Sequence, residues 1–258
     1  MDSKSDSLRK SLDRDGYGIV REVLSRSECD EIEHAVIKES RNLPHMAHSD
    51  VVWKIRCMPK IRNIFEKLWN EKDLIVGFDG IFRRERGQPD KGLPWHVDQD
   101  ETHNGLCCYQ AILVIRGSNL SSGNIVVLPG SHRRHRALAQ RLGDGSHGWE
   151  FIPIPEDDIL FKLCLSEYSP ELCRGDMFLW DSRTAHRVSS PLDINTDRTV
   201  VYLCMTPRYF ADSETLALRK KAYKNGTSTT HWPHRFVNRG EAPAKGQDIH
   251  DTRRTALV

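Results

Sequence analysis

The spacing of apolar residues changes character near Leu74, and that change limits the architectures open to this chain of 258 residues. Upstream, apolar residues recur three and four apart, as in Cys29, Ile32, Val36 and Ile37, and again in Ile61, Ile64, Phe65 and Leu68. Each set is one face of a helix. Downstream they gather in short runs, at residues 74–78, 81–82, 107–115, 124–128, 151–152, 176–180 and 199–205, separated by Gly, Pro, Asn and Ser. Such runs are strands. Helices first and many short strands after predict a mainly β protein, its flanking helices packed on an antiparallel double sheet.

Residues 7–15 read as a short polar helix broken by Gly16 and Gly18, with a first strand in Asp15-Gly16-Tyr17-Gly18-Ile19-Val20. Ser25, three residues before Glu28, is placed to cap the next helix, which Pro44 ends. A further helix is expected over residues 59–69 and another over about 210–225. Beyond it, Thr229-Thr230-His231-Trp232-Pro233-His234-Arg235-Phe236 is irregular but aromatic, and folds over a pocket or packs outside the sheets. Residues 240–258 read as a polar, disordered end. The length permits one β-rich domain or two small ones. With no internal repeat or low-complexity linker, a single domain over 1–258 is the expectation, with a core at about 12–208 and an extension at 209–258.

A formal charge of +2 does not call for nucleic acid or an anionic membrane as partner. Seven scattered cysteines, including the adjacent Cys107-Cys108, make neither a disulfide framework nor a zinc C-x-x-C pair, and suit a reducing compartment. No stretch of 18 apolar residues and no signal-peptide pattern is present, and Ala256-Leu257-Val258 is not a peroxisomal signal, so a cytoplasmic location is expected.

Chemistry enters with Pro94-Trp95-His96-Val97-Asp98. On an extended segment His96 and Asp98 face the same side, and with a third ligand, His186, they make the two-histidine, one-carboxylate set of non-haem Fe(II) oxygenases. A second H-x-D, His48-Ser49-Asp50, sits in a polar connection and is read as a decoy, because only His96 stands between a Gly/Pro-rich loop and a strongly apolar run. Arg83, Arg84 and Arg86, and the run His132, Arg133, Arg134, His135 and Arg136, are solvated faces by default. Either cluster could instead recognise an anionic group of a substrate.

Taken in order, several segments resemble the phytanoyl-CoA dioxygenase family of Fe(II)/2-oxoglutarate oxygenases. They are Asp15 to Val20 with the following Val23-Leu24-Ser25, the His96-Val97-Asp98 motif, Ser122 through Leu128 with the turn Pro129-Gly130-Ser131-His132, and Arg174 through Trp180 leading to His186. The resemblance covers roughly residues 12–208. It implies a double-stranded β-helix (jelly roll, cupin-like) with His96, Asp98 and His186 holding Fe(II) at its open end and 2-oxoglutarate on two further positions. It also implies that Arg198, twelve residues after His186, grips the far carboxylate of 2-oxoglutarate. Tyr109 would line the cosubstrate pocket, with core packing as its rival role. Relatives often carry a small hydroxyl residue two positions after the distal histidine, where this chain has Val188 followed by Ser189 and Ser190.

The expected function is therefore an Fe(II)- and 2-oxoglutarate-dependent dioxygenase that uses molecular oxygen to oxidise, most simply to hydroxylate, a small organic substrate, with release of succinate and carbon dioxide. Asp98 argues against a halogenase, whose relatives carry a small residue there. Two other readings remain open: the same chemistry on a nucleotide or nucleic acid, against which the near-neutral charge counts, and a non-catalytic small-molecule-binding barrel.

Overall fold

A computed structural model describes residues 3–43, 45–100, 102, 105–143, 151–163, 166–240, 242–244, 246–248 and 250–258. The elements run α1 (Ser3–Asp15), β1 (Tyr17–Val20), α2 (Arg26–Glu39), α3 (Asp50–Arg56) and α4 (Pro59–Trp69), then β2 (Leu74–Val76), β3 (Ile81–Arg84), β4 (Leu93–Val97), β5 (Tyr109–Arg116) and β6 (Ile125–Val127). After them come α5 (His135–Leu142), β7 (Ile152–Pro153), α6 (Leu160–Leu163), β8 (Met177–Asp181), β9 (His186–Val188), β10 (Arg198–Pro207) and α7 (Ser213–Asn225).

Helix α2 opens with the expected reciprocal cap: the Ser25 hydroxyl accepts from Glu28 N, and Ser25 N donates to Glu28 Oε2 at 2.8 Å. It ends at Glu39; Pro44, expected to end it, lies outside the described residues. Helix α4 begins with Pro59 at a first-turn position and ends on Asn70 in the left-handed conformation. The decoy segment has a structural use, since the Ser49 side chain accepts from Val52 N and caps α3, a helix the apolar spacing did not reveal.

Two antiparallel sheets follow. The larger has the order β1-β8-β5-β10-β2, with β3 also paired to β10; the smaller is β6-β9-β4-β7. Both were expected as a double sheet. Strand β5 explains why its run is apolar throughout instead of alternating. Ala111, Leu113 and Ile115 pack with Ile32, Trp53 and Phe65 of the helices, whereas Ile112 and Val114 pack with Ile125, Val127 and Phe178 on the other face. A strand buried on both faces loses its period-two signature. Gly175 must be glycine for the turn before β8: its φ is +89°, and an added Cβ would lie 2.1 Å from Leu24 O.

The C-terminal region departs from expectation. Residues 250–258 are not a loose end: Leu257 and Val258 are buried, Val76 N donates to Leu257 O, and the buried Arg219 side chain of α7 donates to the carbonyls of Val258 and Val76. The aromatic stretch near Trp232 lies over the cavity described next, not outside the sheets.

Candidate metal centre

Strands β4 and β9 pair so that His96 stands directly opposite His186, which brings both imidazoles to one face. Asp98 follows just past the end of β4 on the side of His96. Among the described residues, His96, Asp98 and His186 form the group whose donor atoms all lie within 4.8 Å of one another. His96 Nε2 is 3.7 Å from Asp98 Oδ1, and His186 Nε2 is 3.4 Å from Asp98 Oδ2.

The orientation of each ring is fixed from behind. His96 Nδ1 lies 2.7 Å from Pro94 O and His186 Nδ1 lies 2.9 Å from Thr184 O. A carbonyl can only accept, so both Nδ1 atoms carry a proton, which leaves each Nε2 facing the centre. The loop bearing His186 is held by the turn after β6, where Ser131 Oγ accepts from Ala185 N at 2.8 Å, and by Thr184 Oγ1, which donates to Gly16 O. Burial pushes the His186 imidazole down to about 4, with the neighbouring His96 adding to the effect. Burial alone would raise the Asp98 carboxyl, but the imidazoles of His231, His186 and His96 and a hydrogen bond from Gln110 hold it below the usual range. The downward push on His186 and on Asp98 favours the neutral imidazole and the ionised carboxylate that a divalent ion needs.

The three residues open on a cavity of about 580 Å³. Arg198 lies in its wall, 1% exposed, with its guanidinium over the Phe82 ring at 5.1 Å. Its Nε and Nη1 have no hydrogen-bond partner among the described residues. A buried cation left this way costs free energy unless an anion meets it. Trp180 Nε1, on the same cavity, is a second buried donor without a hydrogen-bond partner among the described residues. Three convergent donors and an unpaired buried cation in one cavity suit a divalent metal and a dicarboxylate.

Tyr109 is corrected. Its ring packs on Trp69 at 4.9 Å within the helix-side core, because β5 turns residue 109 away from the cavity and residue 110 toward it. Gln110 instead donates to Asp98 Oδ2 at 2.8 Å. A lone polar residue inside the run 107–115 was the available signal for it. Val188 lines the cavity without a hydroxyl, and Ser189 Oγ accepts from Asn124 N elsewhere. None of the arginine clusters lines it: Arg84 is buried on the carbonyls of Ile194 and Ser122, Arg86 pairs with Asp197, Arg83 with Glu85, and Arg133 donates to Arg14 O. His48 is packed away, its Nε2 2.8 Å from Thr227 O and its Nδ1 accepting from Trp53 Nε1. A residue unassigned from sequence, His231, brings its Nε2 to 3.9 Å from Asp98 Oδ1.

No family model matches the chain. Ava biosynthesis cluster protein O of Aspergillus versicolor is 30% identical over 203 residues, 74% of this chain and 66% of that protein. This chain therefore aligns with just under two thirds of that relative's length. The non-heme alpha ketoglutarate dependent epimerase SnoN from nogalamycin biosynthesis superposes with a TM-score of 0.63 at 17% identity, over 80% of this chain and 84% of SnoN. SnoN has also been solved with Fe3+, alpha ketoglutarate and nogalamycin RO. EctD from S. alaskensis, solved with 2-oxoglutarate and 5-hydroxyectoine, superposes with a TM-score of 0.60 at 12% identity, over 80% of this chain and 76% of EctD.

Proposed function

We propose that this chain, which has the fold of the non-haem iron, 2-oxoglutarate-dependent enzymes, is itself an Fe(II)- and 2-oxoglutarate-dependent dioxygenase that oxidises a small organic molecule. Succinate and carbon dioxide are the co-products. The two sheets are read as the halves of a double-stranded β-helix, within a single domain over 1–258 whose residues 209–258 extend the core. The observation that carries the reading is the coincidence, in one cavity, of the His96, Asp98 and His186 donors with the unpaired guanidinium of Arg198.

Iron and 2-oxoglutarate, when bound, would activate molecular oxygen, the oxidant, for attack on an unactivated C–H bond. Everything else falls to the chain. His96, Asp98 and His186 hold the ion, and the carbonyls of Pro94 and Thr184 keep the rings in the binding tautomer. Gln110 fixes the Asp98 carboxylate. Arg198 meets the distal carboxylate of 2-oxoglutarate, with Trp180 Nε1 as a second donor in the same cavity. The apolar walls, among them Ile81, Leu93, Ile112 and Val188, exclude water and receive the substrate.

Nucleic acid as substrate is disfavoured by the arginine clusters, none of which lines the cavity, with Arg83, Arg84, Arg86 and Arg133 held by protein partners elsewhere. No helix among the described residues is long and apolar enough to cross a membrane. The test is anaerobic titration with Fe(II) and then 2-oxoglutarate. A weak visible charge-transfer band is expected, lost in His96→Ala and Asp98→Ala; no band in the unmutated protein would overturn the reading.

A further inference from the structure

The segment 227–239 lies beyond the stretch that carries the family resemblance, yet it is built into the site. Thr229 N donates to Phe78 O, Phe78 N donates to Thr229 Oγ1, and Thr230 N donates to Val237 O. The segment doubles back on itself at a bridge between Thr229 and Asn238. Trp232 is buried against Cys107, Cys108 and Cys204. Arg235 donates to Asp100 Oδ2 at 2.6 Å, two residues past the metal motif, and to Thr102 Oγ1 at 2.8 Å. At Gly77 the sheet makes room for it, since an added Cβ would come within 2.8 Å of His231 O.

This strap carries the His231 imidazole into the cavity. Its Nε2 is buried and has no hydrogen-bond partner among the described residues. At 3.9 Å from Asp98 Oδ1 it is too far for a hydrogen bond to that oxygen, and it does not join the group of three donor atoms. It is nevertheless close enough to the ion that Asp98 would hold to reach another molecule bound there. A buried nitrogen left unpaired is costly, and a ligand in that place would satisfy it.

We propose that His231 is a positioning residue of the metal centre, whose Nε2 hydrogen-bonds the exchangeable ligand occupying the coordination position beside Asp98. The inference rests on the iron reading above, and its test separates the two. Protein loaded anaerobically with Fe(II) and 2-oxoglutarate is first checked for the visible band and then titrated with nitric oxide, a diatomic probe of the open position, while the electron paramagnetic resonance signal is recorded. In His231→Phe, which keeps bulk but loses the hydrogen bond, the band is expected to persist, nitric oxide affinity to fall roughly five- to tenfold, and the rhombicity of the signal to change. His231→Gln, which keeps a donor, should restore most of both. Arg235→Ala, which frees the strap from Asp100, should reproduce part of the loss.

A nitrosyl signal and affinity in His231→Phe equal to those of the unmutated protein would overturn the proposal. So would equal perturbation by Gln and Phe, which would make the role one of packing, or loss of the band in either variant, which would make His231 a ligand or a structural support. Absence of the band in the unmutated protein would instead sink the iron assignment itself.

Discussion

At Arg198 the structure leaves two guanidinium nitrogens buried without a hydrogen-bond partner among the described residues, and the size of that debt sets the expected effect of removing them. A hydrogen-bonded ion pair of this kind is worth about 1.5–3 kcal/mol, so Arg198→Ala should weaken 2-oxoglutarate binding roughly 10- to 150-fold. Iron binding should survive, and titration of the visible band measures both. His48, the second H-x-D histidine, makes a different prediction. Burial, with Arg56 adding to it, pushes its imidazole from an ordinary 6.5 down to about 3. The unfolded chain therefore takes up this proton more readily than the folded one. Stability from His48 is intact above about pH 6.5 and is lost as the pH falls from there toward about 3. Buried His186, at about 4, acts in the same direction. Thermal unfolding followed between pH 7 and pH 4 should show a falling Tm, with a shallower fall in His48→Gln; parallel curves for the two proteins would refute this account of His48.

At the scale of elements, the metal ligands depend on turns that contribute no ligand of their own. Ser131, in the turn after β6, accepts from Ala185 N, the residue before His186. Ser131→Ala leaves that buried N–H unpaired, at about 1–3 kcal/mol. It should lower both the Tm and the affinity for Fe(II), whereas Ser25→Ala, which removes the α2 cap far from the site, should cost about 0.5–2 kcal/mol of stability and leave iron affinity unchanged. Chemical denaturation paired with iron titration separates the two effects. The capping box of α2 and the extent of α4 were legible because each is written in a few neighbouring residues. Helix α3 was not, because seven residues give too short a period to register and its cap, Ser49, lay inside a metal-like motif.

At the scale of the whole molecule, the cavity joins β4 and β9 of the small sheet, β5 and β10 of the large one, and the strap after α7. A ligand that bridges these parts should stabilise them together. With Fe(II) and 2-oxoglutarate each at about 100 times its dissociation constant, each contributes about 2.7 kcal/mol. At about 2–4 °C per kcal/mol for a chain of this size, the Tm should rise by roughly 5–10 °C for each ligand. Differential scanning measures the shift, and Arg198→Ala should cut the 2-oxoglutarate increment alone, to between about 1.4 and about 0.3 kcal/mol at the same concentration. The sequence by itself determined that helices precede a series of short strands, the break in period near Leu74 and the same-side placement of His96 and Asp98, because all of these follow from local spacing. Only the tertiary structure decided that Tyr109 faces the helices while Gln110 faces the site, since a strand buried on both sides carries no alternation to read. Only it showed that Arg198 Nε and Nη1 lack a hydrogen-bond partner among the described residues and that His231 arrives beside Asp98, for these depend on contacts between residues far apart in the chain, which no spacing along it encodes.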